Sequence, residues 1–256
     1  SPIIPTGGLP IDIIKDNYHF IISGDSISKG VILDEKRKKY IVSKNNYVSI
    51  LQQKLKGVAY NLSKFGATIT YGVNKLHKIL ALQRADFVLI EYGGNDCDFN
   101  WDEVANTPEE NHCPRTDLNT FEQTLKDTVH FIKAKGIVPI LMTLPPLNAD
   151  LYLKWISKNN PLKEKNILRW LGSVTKIYWW QERYNAVIIK VAEETQTTWI
   201  DIRRAFLLQP DFSKFLCSDG IHPNEAGQKL IADKILEYIK INSSYLIKDD
   251  ADKILV

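Results

Sequence analysis

The 256-residue chain has a single methionine and only three cysteines, Cys97, Cys113 and Cys217. Their number is odd and their spacing matches no paired metal pattern, so neither a disulfide framework nor a cysteine metal centre is indicated. They read as free thiols in a reducing compartment, which points to the cytoplasm, with a Cys97–Cys113 bridge left open. No apolar run reaches the roughly 20 residues that cross a bilayer, so stable membrane insertion is not expected. Charge of one sign is missing too: 33 Lys and Arg face 30 Asp and Glu, a net +3. Nothing therefore argues for a nucleic acid or another polyanion. The short basic run Lys36-Arg37-Lys38-Lys39 has no aromatic residues interleaved and reads as a solvated loop. The start, Ser1-Pro2-Ile3-Ile4-Pro5, lacks the basic and apolar regions of a secretory signal, although a leader removed earlier would leave no trace. Repeats, low-complexity tracts and linkers are also lacking. The simplest organisation is one domain over 1–256 with a core over about 17–242.

What is present is an alternation of short β-branched runs with longer amphipathic ones, the pattern of an α/β fold with a parallel sheet. Strands are predicted over 19–23, 58–62, 86–91, 137–144 and 198–202. Helices are predicted over 47–55, 73–83, 118–135 and 225–241, with a long polar loop over 100–115. In such sheets ligands bind beyond the carboxyl ends of the strands. Three of those ends carry glycine beside polar side chains: Gly24-Asp25-Ser26, the stretch 63–66, and Gly93-Gly94-Asn95-Asp96. The segment 147–195 departs from the alternation as a helical, aromatic-rich excursion holding Trp155, Trp170, Trp179 and Trp180, four of the six tryptophans. Its rings either fill a core against the sheet or wall the site as a lid or sugar platform.

The chemistry concentrates in two places. Asp219-Gly220-Ile221-His222-Pro223-Asn224 puts a carboxylate three residues before an imidazole, just ahead of the last helix, and so supplies an oriented base. Of the five histidines only His222 has this setting. His19, His77 and His130 read as structural, and His112 beside Cys113 is weak evidence for a metal. Ser26, after the first strand and a Gly-Asp pair, is the candidate nucleophile; if it caps a helix, nearby N–H groups could stabilise an oxyanion. The window 24–30 lacks the spacing of a phosphate-binding loop, and Ser28 stands where a nucleophile elbow needs glycine. Asn95, in its Gly-rich turn, and Gly66, five residues after Asn61, are candidate oxyanion donors.

These four pieces, in this order, resemble the SGNH hydrolases, the GDSL-like esterase/lipase family. Gly24-Asp25-Ser26 looks like the first block, with Ile27 where the family motif has leucine. Gly66 looks like the second, Gly93-Gly94-Asn95-Asp96 the third, and Asp219 to Pro223 the last. The resemblance covers about residues 20–240. It implies Ser26 as nucleophile, His222 as base and later acid, and Asp219 as the group orienting His222. It also implies an oxyanion hole from the Ser26 and Gly66 N–H groups and the Asn95 amide. The implied fold is a three-layer α/β/α sandwich, a flavodoxin-like five-stranded parallel sheet, working with no metal or organic cofactor.

The expected activity is hydrolysis of a small-molecule ester through an acyl-serine, with acetyl esters of carbohydrates or other small alcohols foremost. A lipid or lysophospholipid esterase is the alternative within that class. A non-catalytic carbohydrate-binding or scaffold protein, and a nucleotide-binding flavodoxin-like protein, are the alternatives outside it. Acyl length, the alcohol and the oligomeric state are not legible.

Overall fold

The computed structural model describes residues 15–249; the reading made of residues 1–5 lies outside them. In chain order the elements are β1 (Tyr18–Gly24), α1 (Ser26–Lys29), β2 (Val31–Asp34), β3 (Lys39–Val42), α2 (Tyr47–Lys54), β4 (Gly57–Asn61), α3 (Ile69–Leu82) and β5 (Phe87–Glu91). There follow α4 (Trp101–Asn106), α5 (Leu118–Ala134), β6 (Val138–Met142), α6 (Ala149–Ile156), α7 (Pro161–Leu171), α8 (Thr175–Glu194), β7 (Thr198–Ile200), α9 (Ile202–Leu207) and α10 (Glu225–Asn242). Five strands form one parallel sheet in the order β4-β1-β5-β6-β7.

The period-2 alternation of the strands sends their side chains to two cores. Tyr18, Phe20, Ile22, Phe87, Leu89, Ile140 and Ile200 face α2 and α10, where Leu51, Ile231 and Ile235 meet them. Ile21, Val88, Ile90 and Leu141 face the other way, onto Leu76 of α3, Leu125 and Val129 of α5, and Val187 and Val191 of α8. The result is the expected three-layer α/β/α sandwich. Each large apolar side chain fully buried this way contributes about 1.5–3 kcal/mol, so register is set strongly in every central strand. Asparagine side chains cap α2, α4, α6, α7 and α10, each accepting a backbone N–H from the first turn. The cap of α10 is Asn224, two residues after His222, so the helix start pins the loop that carries the histidine.

Several sequence expectations need correction. The polar loop over 100–115 contains α4, whose Val104 and Ala105 pack with Ile167 of α7. The excursion over 147–195 divides in two: α6 and α7 are additions, whereas α8 is the crossover helix between β6 and β7, packed on the sheet. The strand predicted over 198–202 ends at Ile200, because the Asp201 side chain accepts from Arg204 N and starts α9. The antiparallel hairpin β2–β3 occupies a stretch where no element was predicted, and the basic run is its exposed turn and first strand residue. All three cysteines are free, with Cys97 and Cys217 buried and Cys113 exposed, so Cys97 and Cys113 do not pair.

Helix α3 approaches the sheet through Gly72, where a Cβ would lie 1.8 Å from Tyr92 Oη. That hydroxyl shares a buried 2.7 Å hydrogen bond with Ser23 Oγ on β1, so the ring is not free to retreat. Gly72→Ala should therefore lower stability by about 1–3 kcal/mol despite alanine's better helix propensity, seen as a lower urea midpoint with unchanged slope.

Candidate active site

Beyond the carboxyl end of β1 the chain turns through Asp25 into the single helical turn α1. Asp25 is the cap, its Oδ1 accepting from Ile27 N at 2.9 Å, and Ser26 is the first helical residue rather than the cap itself. The Ser26 hydroxyl lies 2.9 Å from His222 Nε2. His222 Nδ1 lies 2.6 Å from Asp219 Oδ2. Asp219 is fully buried, and Ser26 and His222 are each 6% exposed. The three residues that the sequence singled out thus form one continuous chain of hydrogen bonds.

The electrostatics of this chain follow from its bonds. Burial pushes the Asp219 carboxyl up, but bonds from the His222 ring, the charge of that ring, and the N–H groups of Ile221 and His222 outweigh it. The net shift is downward. An ionised Asp219 can only accept, so Nδ1 must carry a proton, and the neutral ring presents Nε2 to Ser26 as an acceptor. A hydroxyl placed there can pass its proton to the ring as it attacks an electrophile.

Gly66 and Asn95 line the same cavity as Ser26 and His222. Gly66 sits at φ +75° with open space around a would-be Cβ, so glycine is needed there for its backbone angle. Asn95 Nδ2 donates to Asp25 Oδ2 at 3.3 Å and to Ala67 O at 3.2 Å, both long for such bonds. Asn61 does not reach the cavity wall; its Nδ2 donates to Ser28 O at 2.8 Å and ties β4 to α1.

Two residues of the site had gone unread. Tyr40, on β3, donates to Asp219 Oδ2 at 2.8 Å and lies with its ring centroid 4.8 Å from that of His222. Phe65 lies parallel to that ring, its centroid 6.2 Å away and 9° between planes, and packs 5.3 Å from the Tyr40 ring. The alternating runs Val31–Asp34 and Lys39–Val42 around a charged turn are a hairpin signal that would have found Tyr40's strand. Nothing in the sequence links that strand to Asp219.

The cavity measures about 420 Å³, within the range of small-molecule sites of about 300–1,000 Å³. Phe99, Trp101, Tyr152, Trp170 and Trp180 supply aromatic wall, with Leu147 and Ile177 beside them. Asp98 is the carboxylate among these rings; it accepts from Trp101 Nε1 at 2.8 Å and Tyr152 Oη at 2.9 Å. The aromatic excursion therefore both packs against its own core and walls the site. His77 stacks on Phe131 and His19 on Tyr60, away from the cavity. Among the described residues no group of three or more His, Cys, Asp or Glu is placed to hold a metal ion. No helix among them is long and apolar enough to cross a membrane.

Asp96 braces the loop after β5: its carboxylate accepts from Ile69 N at 3.0 Å, at the start of α3, and from Thr116 Oγ1 at 2.7 Å. Burial raises its pKa to about 6, overriding those two bonds. The folded state then holds the proton more tightly than the unfolded chain, where the value is about 3.9. Stability from this group is full below about pH 4 and falls as pH rises toward 6, by roughly 3 kcal/mol at most. Urea unfolding across that range should show the wild type losing stability relative to Asp96→Asn as pH rises, with parallel curves above it.

The family described as GDSL-like Lipase/Acylhydrolase matches residues 22–230. No curated protein matches. Among solved structures, a lipase/acylhydrolase from Enterococcus faecalis is 22% identical with a TM-score of 0.63, covering 90% of this chain and 97% of its own. An acetylxylan esterase from Geobacillus stearothermophilus is 21% identical with a TM-score of 0.59, covering 88% and 95%. A member of the lipolytic G-D-S-L family from Veillonella parvula is 16% identical with a TM-score of 0.58, covering 86% and 96%. At these identities the likeness is one of fold.

Proposed function

The chain belongs to the GDSL-like lipase/acylhydrolase family, it is a carboxylic ester hydrolase, and from that premise we propose that Ser26, His222 and Asp219 carry the reaction. The observation that supports this reading is the unbroken chain from Ser26 Oγ to His222 Nε2 and from Nδ1 to Asp219, at 2.9 and 2.6 Å. His222 takes the Ser26 proton as Oγ bonds to the ester carbonyl carbon. The carbonyl oxygen becomes an oxyanion facing the N–H groups of Ser26 and Gly66 and the amide of Asn95. Each such donor is worth about 2.7–4 kcal/mol in the transition state. For Asn95 to serve, its long inward bonds give way to a shorter one to the oxyanion, which costs little because they are weak. The intermediate collapses, the alcohol leaves with the proton from His222, and acyl-Ser26 remains. Water then attacks with His222 again as base, releasing the acid and restoring the serine.

Within ester hydrolysis, acetyl esters of carbohydrates or other small alcohols are the substrate class we favour. Trp101 and Trp170 are ring faces suited to a sugar, and Asp98 is an acceptor for its hydroxyls. We read the whole chain as one domain, with α6 and α7 as the wall that shapes the alcohol side. A lipid ester is the second reading, carried by Leu144, Leu147, Leu171 and Ile177 in the same cavity.

Purified protein should release nitrophenol from its acetate ester, and Ser26→Ala should cut kcat by at least about a thousandfold while circular dichroism is unchanged. Activity that survives would remove Ser26 from the mechanism. Asp219→Asn should lower kcat by about 10²–10⁴ with little change in KM, since the base is disturbed and the cavity is not. In a panel of esters, acetylated sugars should outpace octanoyl esters in kcat/KM. Asp98→Asn should weaken turnover of the sugars and spare nitrophenyl acetate. A steady rise in kcat/KM from acetyl to octanoyl would instead select the lipid reading.

A further inference from the structure

We propose that Glu91, at the end of β5, is a positioning residue for this hydrolysis, holding through Asp25 and Ser28 the turn that presents Ser26 and the amide of Asn95. The inference rests on the assignment of Ser26 and Asn95 made above. Glu91 is fully buried. Its Oε1 accepts from Ser28 Oγ at 2.6 Å, from Ser28 N at 3.1 Å and from Asp25 N at 3.4 Å. The fit is close: a Cβ on Gly24 would lie 2.9 Å from that oxygen and 2.7 Å from Ser28 Oγ. Glu91 thus grips α1 from beneath, on the residues flanking the nucleophile.

The other oxygen of the carboxyl, Oε2, has no hydrogen-bond partner among the described residues. Asp25 and Glu91 are both buried, Asp25 N donates to Glu91 Oε1, and no ion pair reaches either side chain among the described residues. Two neighbouring buried carboxyls with no cation beside them do not both stay ionised. Asp25 accepts from Ile27 N and from Asn95 Nδ2, bonds that suit its charged form. The proton therefore belongs on Glu91. Burial, and next the neighbouring Asp25, push the Glu91 carboxyl well up in agreement with this. The groups facing the pair are Ser28, Tyr47 from α2 (whose Oη shares a hydrogen bond with Ser28 Oγ), Tyr92 beyond β5, Asp96, and His222 on the Asp25 side. None is a lysine or arginine that could steady a second negative charge.

Loss of that proton sets a second buried negative charge beside Asp25, with no cation to steady it. The cap of α1 and the partner of Asn95 then move together, and displacements of about 1 Å can cost a factor of 10² in rate. The enzyme should accordingly lose kcat, with KM nearly constant, as pH rises through the titration of the pair.

Two substitutions and one spectroscopic reading test this. Glu91→Gln keeps an acceptor for Ser28 and carries no charge at any pH, so it should hold kcat within about threefold and abolish the alkaline fall. Glu91→Leu removes the acceptor for Ser28 and Asp25 N and should lower kcat by about 10–100-fold with KM within about threefold. An unchanged alkaline fall in Glu91→Gln, or wild-type kcat in a folded Glu91→Leu, overturns the proposal. If Glu91→Leu does not fold, the pH profile of Glu91→Gln decides alone. The ¹³C carboxyl shift of Glu91 in the Ser26→Ala protein reads the proton without catalysis. A neutral carboxyl at pH 7 there supports the protonated Glu91 even if Ser26 proves not to be the nucleophile, and an ionised one overturns it.

Discussion

The site depends on one buried carboxylate. Asp219 is sealed from solvent, yet it accepts from Ile221 N, His222 N, His222 Nδ1 and Tyr40 Oη. A carboxylate without such partners would protonate rather than remain charged in that setting. With them it stays ionised, fixes the tautomer of His222, and aims Nε2 at Ser26. The same bonds knit together segments far apart in sequence: the hairpin through Tyr40, the final loop through two backbone amides, and α1 through the histidine. The additions also reach it, because Asn148 N at the start of α6 donates to Gly220 O at 2.8 Å, and Asn148 itself caps that helix. Anything that loosens α6 therefore reaches the aspartate–histidine turn as well as the cavity wall.

Behind this lies a topological constraint. With all five strands parallel, every strand-to-helix turn of the sheet falls at one edge, so β1, β4 and β5 deliver Ser26, Gly66 and Asn95 to a common rim. Their polar groups are then close enough to need partners, and they largely satisfy one another. Asp25 bonds Ile27 N and Asn95, Asp96 bonds Ile69 N and Thr116, and Asn61 bonds Ser28 O. A set of buried polar loops braced in this way is stiff, which suits a reaction whose donors must be in place before charge develops. The carboxyls in the set are raised by burial, Asp96 to about 6, so the price of that stiffness is sensitivity to pH.

The strands of the sheet were legible because β-branched runs such as Phe87–Glu91 are buried on both faces and leave an uninterrupted apolar signal. Ser26, Asp219 and His222 were legible because their local spacing is itself informative. The hairpin went unread although its two runs alternate around a charged turn, since each strand is only four residues long and β3 lies largely exposed, which makes the signal brief. Helix α4 was hidden by its short length and by a loop composition rich in Asp, Asn and Glu; its burial comes from α7, some sixty residues on. Helix α8 was misgrouped with α6 and α7 because tryptophans mark both kinds of helix, although only α8 packs on the sheet.

By itself the sequence determined the α/β alternation, the two faces of the sheet, and the residue types that a hydroxyl nucleophile and its base require. Those depend on neighbours a few positions apart along the chain. The tertiary structure alone decided that Ser26 meets His222 across 196 residues, that Tyr40 shares Asp219, and that Glu91 lies beneath the turn that carries Ser26. The reason is physical: these are contacts between the ends of separate strands and loops, made by folding the sheet, and no local periodicity encodes which side chains a closed rim will bring within hydrogen-bond reach.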